Sequence, residues 1–261
     1  MTTPARIWIQ GAGEMASGAA VALLAAGHQV VMTEINNPLA VRRLVCFSEA
    51  VYEGEAQVVG WLGKLVAPAD AKFVTGQATV LIDPEGQQLN RLNPDVIVDA
   101  RMTKITPEAI NVGTRPVIGL GPGFTCGLDA TLIVETMRGP DLGRVISDGQ
   151  AEPYTGRPGA VGGETLFRLL RAPAAGQLVP IFAIGDLITE GQVVGHVGGV
   201  PVVSALTGLL RGLVHSRAEL SAGEKVGDVD PQGLAVDPAA MTDKACKVGA
   251  GVLEAVNRLR W

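Results

Sequence analysis

Aromatic residues are scarce in this 261-residue chain, which holds five Phe, three Trp and two Tyr. Cysteine is scarcer still: Cys46, Cys126 and Cys246 are odd in number and widely spaced, which excludes a disulfide framework and any CxxC metal or redox pair. The three histidines, His28, His196 and His215, lie far apart with no second ligand at helical or strand spacing, so a zinc site is not expected. Basic residues are outnumbered, 21 Lys and Arg against 26 Asp and Glu, and no basic run occurs, which argues against a nucleic-acid partner. No apolar run is long enough to span a bilayer, and the most apolar stretches, 19–26 and 128–134, are far too short. The polar start leads straight into a strand, so no signal peptide is expected and the chain reads as cytoplasmic.

What the sequence does have is glycine, 34 of them with 16 prolines, set between short apolar runs in 47% hydrophobic text. That pattern predicts a folded chain with many tight turns and close backbone approaches. In the first third, a β-branched run at 6–10 stops at Gly11-Ala12-Gly13-Glu14-Met15-Ala16, a helix-compatible segment ends at Gly27, and a second strand at 29–33 precedes Glu34. This is the order of a dinucleotide-binding βαβ start. Gly11 permits the tight turn, Gly13 lets a pyrophosphate approach the backbone, Ala16 allows helix–strand packing, and Glu34 stands where an acid accepts from a ribose diol. Glu34 favours NAD, whereas Arg42 and Arg43, in a helix expected from about Pro38, suit the extra phosphate of NADP or a solvated face. The glycines equally suit a turn that binds no nucleotide.

The stretch 45–81 reads as short strands, or strand–helix–strand, around a loop at 69–71. A buried strand at 95–99 brings Asp99, Arg101 and Lys104 to its carboxyl end, where open α/β sheets bind ligands. Another strand at 116–120 runs into Gly121-Pro122-Gly123-Phe124-Thr125, whose turn would let backbone amides converge on an anion. Asp129 follows, in a stretch that suits helix or strand and closes on the cation Arg138. The loops 11–16, 99–104 and 119–125 are expected to meet at one sheet edge and to hold a small anionic or phosphorylated ligand. No nucleophile–base pair stands out, and Cys126 reads as a small buried residue.

The last third is duplicated with a period of 32: Gly176 matches Gly208, Gly191 matches Gly223, Val194 matches Val226, and Val197 matches Val229. Both halves read as apolar strand, acidic turn, glycine, strand, which predicts a barrel-sandwich hybrid of the biotinyl/lipoyl type. Carriers place a lysine between the halves, but the connection 198–203 has none, and the sole lysine from 172 to 231 is Lys225. A carrier role is therefore rejected, leaving docking, ligand closure or stabilisation. From Thr242 to about residue 259 an amphipathic helix is expected, with Ala245, Val248, Val252, Val256 and Leu259 on one stripe. The predicted class is thus α/β: a Rossmann-like nucleotide-binding-type domain at 1–165, an all-β barrel-sandwich hybrid at 166–232, and a terminal helix at 233–261 packing back on the first domain.

Several stretches taken in order resemble one family. They are Gly-Ala-Gly-Glu-Met-Ala-Ser-Gly at 11–18, Met-Thr-Glu-Ile at 32–35, Val-Arg-Arg-Leu-Val-Cys-Phe-Ser-Glu-Ala-Val-Tyr-Glu-Gly at 41–54, Leu-Gly-Pro-Gly-Phe-Thr at 120–125, Glu-Thr-Met-Arg-Gly at 135–139 and Gly-Ala-Gly-Val-Leu-Glu at 249–254. The family is the YqeB type of accessory proteins linked to selenium-dependent molybdenum hydroxylases. The resemblance implies a maturation factor whose partners are a molybdenum hydroxylase or other maturation proteins. It carries no catalytic residue with it. Its ligand would be a nucleotide or the pterin phosphate of the molybdenum cofactor, and self-association stays open. The alternative from the residues alone is an NAD-dependent oxidoreductase, with Arg101 or Lys104 gripping a small carboxylic acid.

Overall fold

The computed structural model describes residues 4–105, 112–156 and 163–259. They divide into two compact units, one of 1–36, 46–155 and 241–261, the other of 37–45 and 156–240.

The first unit begins with strand β1 (Arg6–Gln10), helix α1 (Glu14–Ala25) and strand β2 (Gln29–Glu34). A single helical turn, α2 (Ala50–Glu53), leads to the hairpin β3 (Glu55–Val58) and β4 (Trp61–Leu65), then to β5 (Ala78–Ile82). Another single turn, α3 (Leu89–Leu92), precedes β6 (Val96–Asp99), β7 (Val117–Leu120), β8 (Leu132–Val134) and β9 (Val145–Ile146). These strands form one nine-stranded sheet in the order β3-β4-β5-β2-β1-β6-β7-β8-β9. The pairs from β4 to β8 are parallel, and both edge pairs, β3–β4 and β8–β9, are antiparallel.

This sheet corrects the expected Rossmann-like region. A doubly wound fold alternates strands with crossover helices on both faces. Here the sheet is mixed, and beyond α1 the described connections between its parallel strands carry no helix longer than one turn. The reason is local: Pro84, Gly86 and Pro94 punctuate the link to β6, and Gly121, Pro122, Gly123 and Gly127 fill the link after β7, residues that cannot sustain a helix. Nor does a helix begin near Pro38, where a turn is followed by a 3₁₀ segment, Arg43–Val45.

Alternation along β1 shows how the sheet is covered. Ile7 and Ile9 join the core beneath α1, whereas Trp8 joins a separate cluster with Val31, Leu81 and Ile97 on the other face. The terminal helix α4 (Asp243–Arg258) packs along α1 and buries Ala245, Val248, Val252 and Val256. Its cap is Thr242, whose Oγ1 accepts from the Ala245 amide at 3.2 Å. The two helices touch backbone to backbone: a Cβ on Gly18 would run into the Ala245 carbonyl, and one on Gly249 into the Gly18 carbonyl.

The second unit holds β10 (Leu169–Arg171), β11 (Gly176–Pro180), β12 (Leu187–Ile188), β13 (Val193–Val197), β14 (Val200–Val203), β15 (Gly208–Leu213), β16 (Glu219–Leu220) and β17 (Lys225–Asp230). They form two four-stranded antiparallel sheets, β10-β17-β15-β12 and β14-β13-β11-β16. The period of 32 is visible strand by strand, since β11, β12 and β13 begin 32 residues before β15, β16 and β17. Pairing follows the same rule: β11 bonds β13 and β16, and β15 bonds β17 and β12. Each half thus lends its short strand to the other half's sheet. The repeat is a core pattern, because Leu178 and Leu210, Ile188 and Leu220, Val194 and Val226, and Val197 and Val229 are all buried in one cluster.

Candidate functional site

At the carboxyl edge of the first unit's sheet lies a cavity of about 560 Å³, walled by the turn after β1, the end of β2 and the loop after β6. The turn is possible because Gly11 adopts φ +101°, and a Cβ there would press within 3.1 Å of the Ala100 carbonyl. Gly11 donates to the Thr33 carbonyl at 2.9 Å, which ties the turn to β2. Gly13 is the N-cap of α1, without a side-chain cap bond and with open space where a Cβ would project. The first turn of α1 therefore presents backbone amides at a positive helix end. Ala12 and Ala16 are buried behind it, as small residues packed in the core.

Glu34 closes the cavity from β2. Burial pushes its carboxyl up from 4.5 to about 7, against the opposing pull of hydrogen bonds from the Ile35 and Ala12 amides. The Ile35 bond measures 3.1 Å. Two other polar atoms of the lining, Glu14 Oε1 and Thr33 Oγ1, are buried without a partner among the described residues. Arg101 also lines the cavity, gripped by Asp99 through contacts of 2.5 to 3.2 Å. Beside it Met102 and Lys104 sit at φ +57° and +69°, left-handed conformations unusual for side chains of this size.

The structure brings Gly11, Gly13, Glu14, Met15, Glu34 and Arg101 to one cavity, with Asp99 holding Arg101 and Lys104 two residues beyond Met102. It does not bring the others. Arg42 and Arg43 lie in the second unit, where Arg42 donates to the Ala240 carbonyl at 2.8 Å and Arg43 to the Leu213 carbonyl at 3.1 Å. The glycine turn after β7 shares the sheet edge but is packed on itself. Gly119 makes room for the Phe124 ring and Gly121, at φ +74°, for the Thr136 side chain. Thr125 N is satisfied by Asp129 Oδ1 at 2.6 Å. Gly121 and Phe124 therefore serve packing, and of Gly121, Pro122, Gly123, Phe124 and Thr125 none lines a described cavity.

A neighbouring cavity of about 430 Å³ is lined by Arg138, Tyr154 and Glu135 among others. Glu135 is spoken for by the Thr136, Met137 and Glu152 amides, at 2.7, 2.7 and 2.8 Å. Lys104 Nζ stands 5.9 Å from the Tyr154 ring centre. Burial and the Lys244 charge lower its ammonium to about 8. Lys244, in the first turn of α4, is lowered by burial and then by Arg138. Sequence reasoning missed Lys244 and Tyr154; the signal for Lys244 was a cation two residues after the Thr242 N-cap, where the helix end disfavours one. Among the described residues no cluster of His, Cys, Asp or Glu suits a metal ion, and no helix is long and apolar enough to cross a membrane.

No protein-family model matches the chain. It is 42% identical over 259 residues, 96% of its length, to the uncharacterized protein YqeB of Escherichia coli (strain K12). The chain spans about half of that relative, 47% of its length. Among solved structures it is similar to an aspartoacylase family protein of Mesorhizobium loti, with a TM-score of 0.28 and 14% identity over 87% of this chain and 85% of the other. It is also similar to a succinylglutamate desuccinylase/aspartoacylase of Rhodobacter sphaeroides, with a TM-score of 0.24 and 19% identity over 33% and 29%. Likenesses this slight carry nothing about the fold or activity of this chain.

Proposed function

We propose, for a chain that belongs to the YqeB family, that the glycine-turn cavity holds a nucleotide or a molybdopterin-type phosphate ligand. The chain would act with it as an accessory protein in the maturation of a selenium-dependent molybdenum hydroxylase. The supporting observation is Glu34: a carboxyl raised to about 7 at the rim of an open helix N-terminus, in a cavity large enough for a nucleotide. A carboxylate there accepts from two neighbouring donors, which a ribose diol offers, as does the amino and ring N–H edge of a pterin. The amides at the start of α1 suit the phosphate, while Glu14 at the same end favours a ligand whose charge lies to one side of it. The accessory role rests on the sequence resemblance.

Native mass spectrometry of the purified full chain tests the reading. The expected result is a co-purifying nucleotide or pterin phosphate that is lost in Glu34→Lys. A protein that carries neither, and that titration with AMP, NAD(H) and a pterin phosphate leaves unchanged at about 1 mM, overturns it.

A further inference from the structure

The lining of the glycine-turn cavity is lopsided in its hydrogen bonding. Its side-chain donors are engaged within the protein. Gln10 donates from Nε2 to the Pro84 carbonyl at 2.6 Å, and its Oε1 accepts from the Trp8 indole at 2.9 Å. Asp99 holds the Arg101 guanidinium, and Thr103 donates from Oγ1 to the Ile105 carbonyl at 2.8 Å. The acceptors are not matched in this way. Glu14 Oε1, at the head of α1, is buried and meets no donor among the described residues. Lys244 feels the Glu14 charge but does not bond this oxygen. Thr33, only 1% exposed, holds its Oγ1 equally without a partner. Glu34, next along β2, brings a second carboxylate to the same space.

Buried polar atoms without partners cost a fold stability, and those that line a cavity are matched when a ligand enters. The first-turn amides of α1 still donate. A fitting ligand therefore offers an anion or acceptor to the helix end and several donors to the two carboxylates and the hydroxyl. A ribose diol satisfies one carboxylate and leaves the other acceptors unanswered. Adenine sets its amino group between ring nitrogens that only accept, so its lone pairs would face the carboxylates. The 2-amino-4-oxo pyrimidine ring, common to guanine and pterin, differs. It presents two N–H bonds on the amino group and one on the adjacent ring nitrogen.

We infer that Glu14 Oε1, Thr33 Oγ1 and Glu34 together read the amino and ring N–H groups of a 2-amino-4-oxo pyrimidine ring, rejecting adenine. This deepens the reading above and rests on it, since it takes the glycine-turn cavity as the ligand site. It adds Glu14 and Thr33 as residues that set specificity.

The test is calorimetric titration of GMP, IMP, AMP and a pterin phosphate into the full chain at pH 8. IMP keeps the ring N–H and carbonyl of GMP and lacks only the amino group. GMP or the pterin phosphate should bind about tenfold or more tightly than IMP and AMP. The tighter of the two distinguishes a guanine source from a pterin source. Glu14→Gln and Thr33→Val should each erase most of that preference over IMP, and Thr33→Ser should restore it. IMP or AMP binding as tightly as both others overturns the inference, as does a preference that survives Glu14→Gln and Thr33→Val. In either case the cavity reading stands, provided binding is still lost in Glu34→Lys. If none of the four binds at about 1 mM, the cavity reading itself fails and the inference falls with it.

Discussion

Replacing Glu34 by glutamine should make the protein more stable at pH 8 and leave it unchanged near pH 4.5. The carboxyl has an ordinary value of 4.5 and stands at about 7 in the folded chain because it is buried. Between those values the folded protein holds a proton that the unfolded chain has released, so stability falls as pH rises through the window, and the full penalty persists above it. At 1.36 kcal/mol per pH unit the ceiling is about 3 kcal/mol, and residual exposure trims it to about 2. Glutamine keeps the shape and an acceptor for the Ile35 and Ala12 amides but carries no charge to desolvate. Urea unfolding of both proteins at pH 8, 6 and 4.5 reads the difference directly. Buried His28, whose ring is pushed below 6.5 by burial, destabilises both proteins as pH falls and cancels in the comparison. Equal stability at pH 8, or a gap that does not shrink with falling pH, would refute the burial argument.

Other expectations follow from packing and charge. Gly249→Ala drives a Cβ into the Gly18 carbonyl and should cost about 2 kcal/mol by overpacking, seen as a lower urea midpoint with α4 exchanging its amides faster. Gly121→Ala meets both a left-handed φ of +74° and the Thr136 side chain, so a loss of about 2 kcal/mol or more is expected in thermal melts, with the cavity ligand still bound. In the second unit Asp228 pairs with Arg168 at 2.5 Å in a buried setting; Asp228→Ala removes this carboxylate from beside a buried guanidinium that stays charged and should cost about 3 to 5 kcal/mol by denaturant titration.

Period and spacing made some of this legible in the sequence. The 32-residue repeat marks the strands and inward-facing pairs of the second unit because duplicated text repeats its buried positions, as in Leu178 with Leu210 and Ile188 with Leu220. The Gly11–Gly13 turn and Glu34 were equally readable, since strand, turn, helix and strand are contiguous. The same local signature misled on the fold. A glycine turn followed by one helix does not state whether helices cover the other face, and that depends on connections broken by Pro84, Gly86 and Pro94. The loop after β7 misled for a related reason: glycines that admit Phe124 and Thr136 look, in sequence, like glycines that admit an anion. The close approach of α4 to α1 at Gly18 is invisible in sequence, because the two helices lie more than 200 residues apart.

Calorimetric titration of AMP and of a pterin phosphate into wild type and Glu34→Gln at pH 8 tests the central claim most directly. The account predicts that one of the two binds more tightly than about 0.1 mM to the wild type and about tenfold or more weakly to the variant. Failure of both ligands to bind at about 1 mM, or equal affinity of wild type and variant, would contradict it.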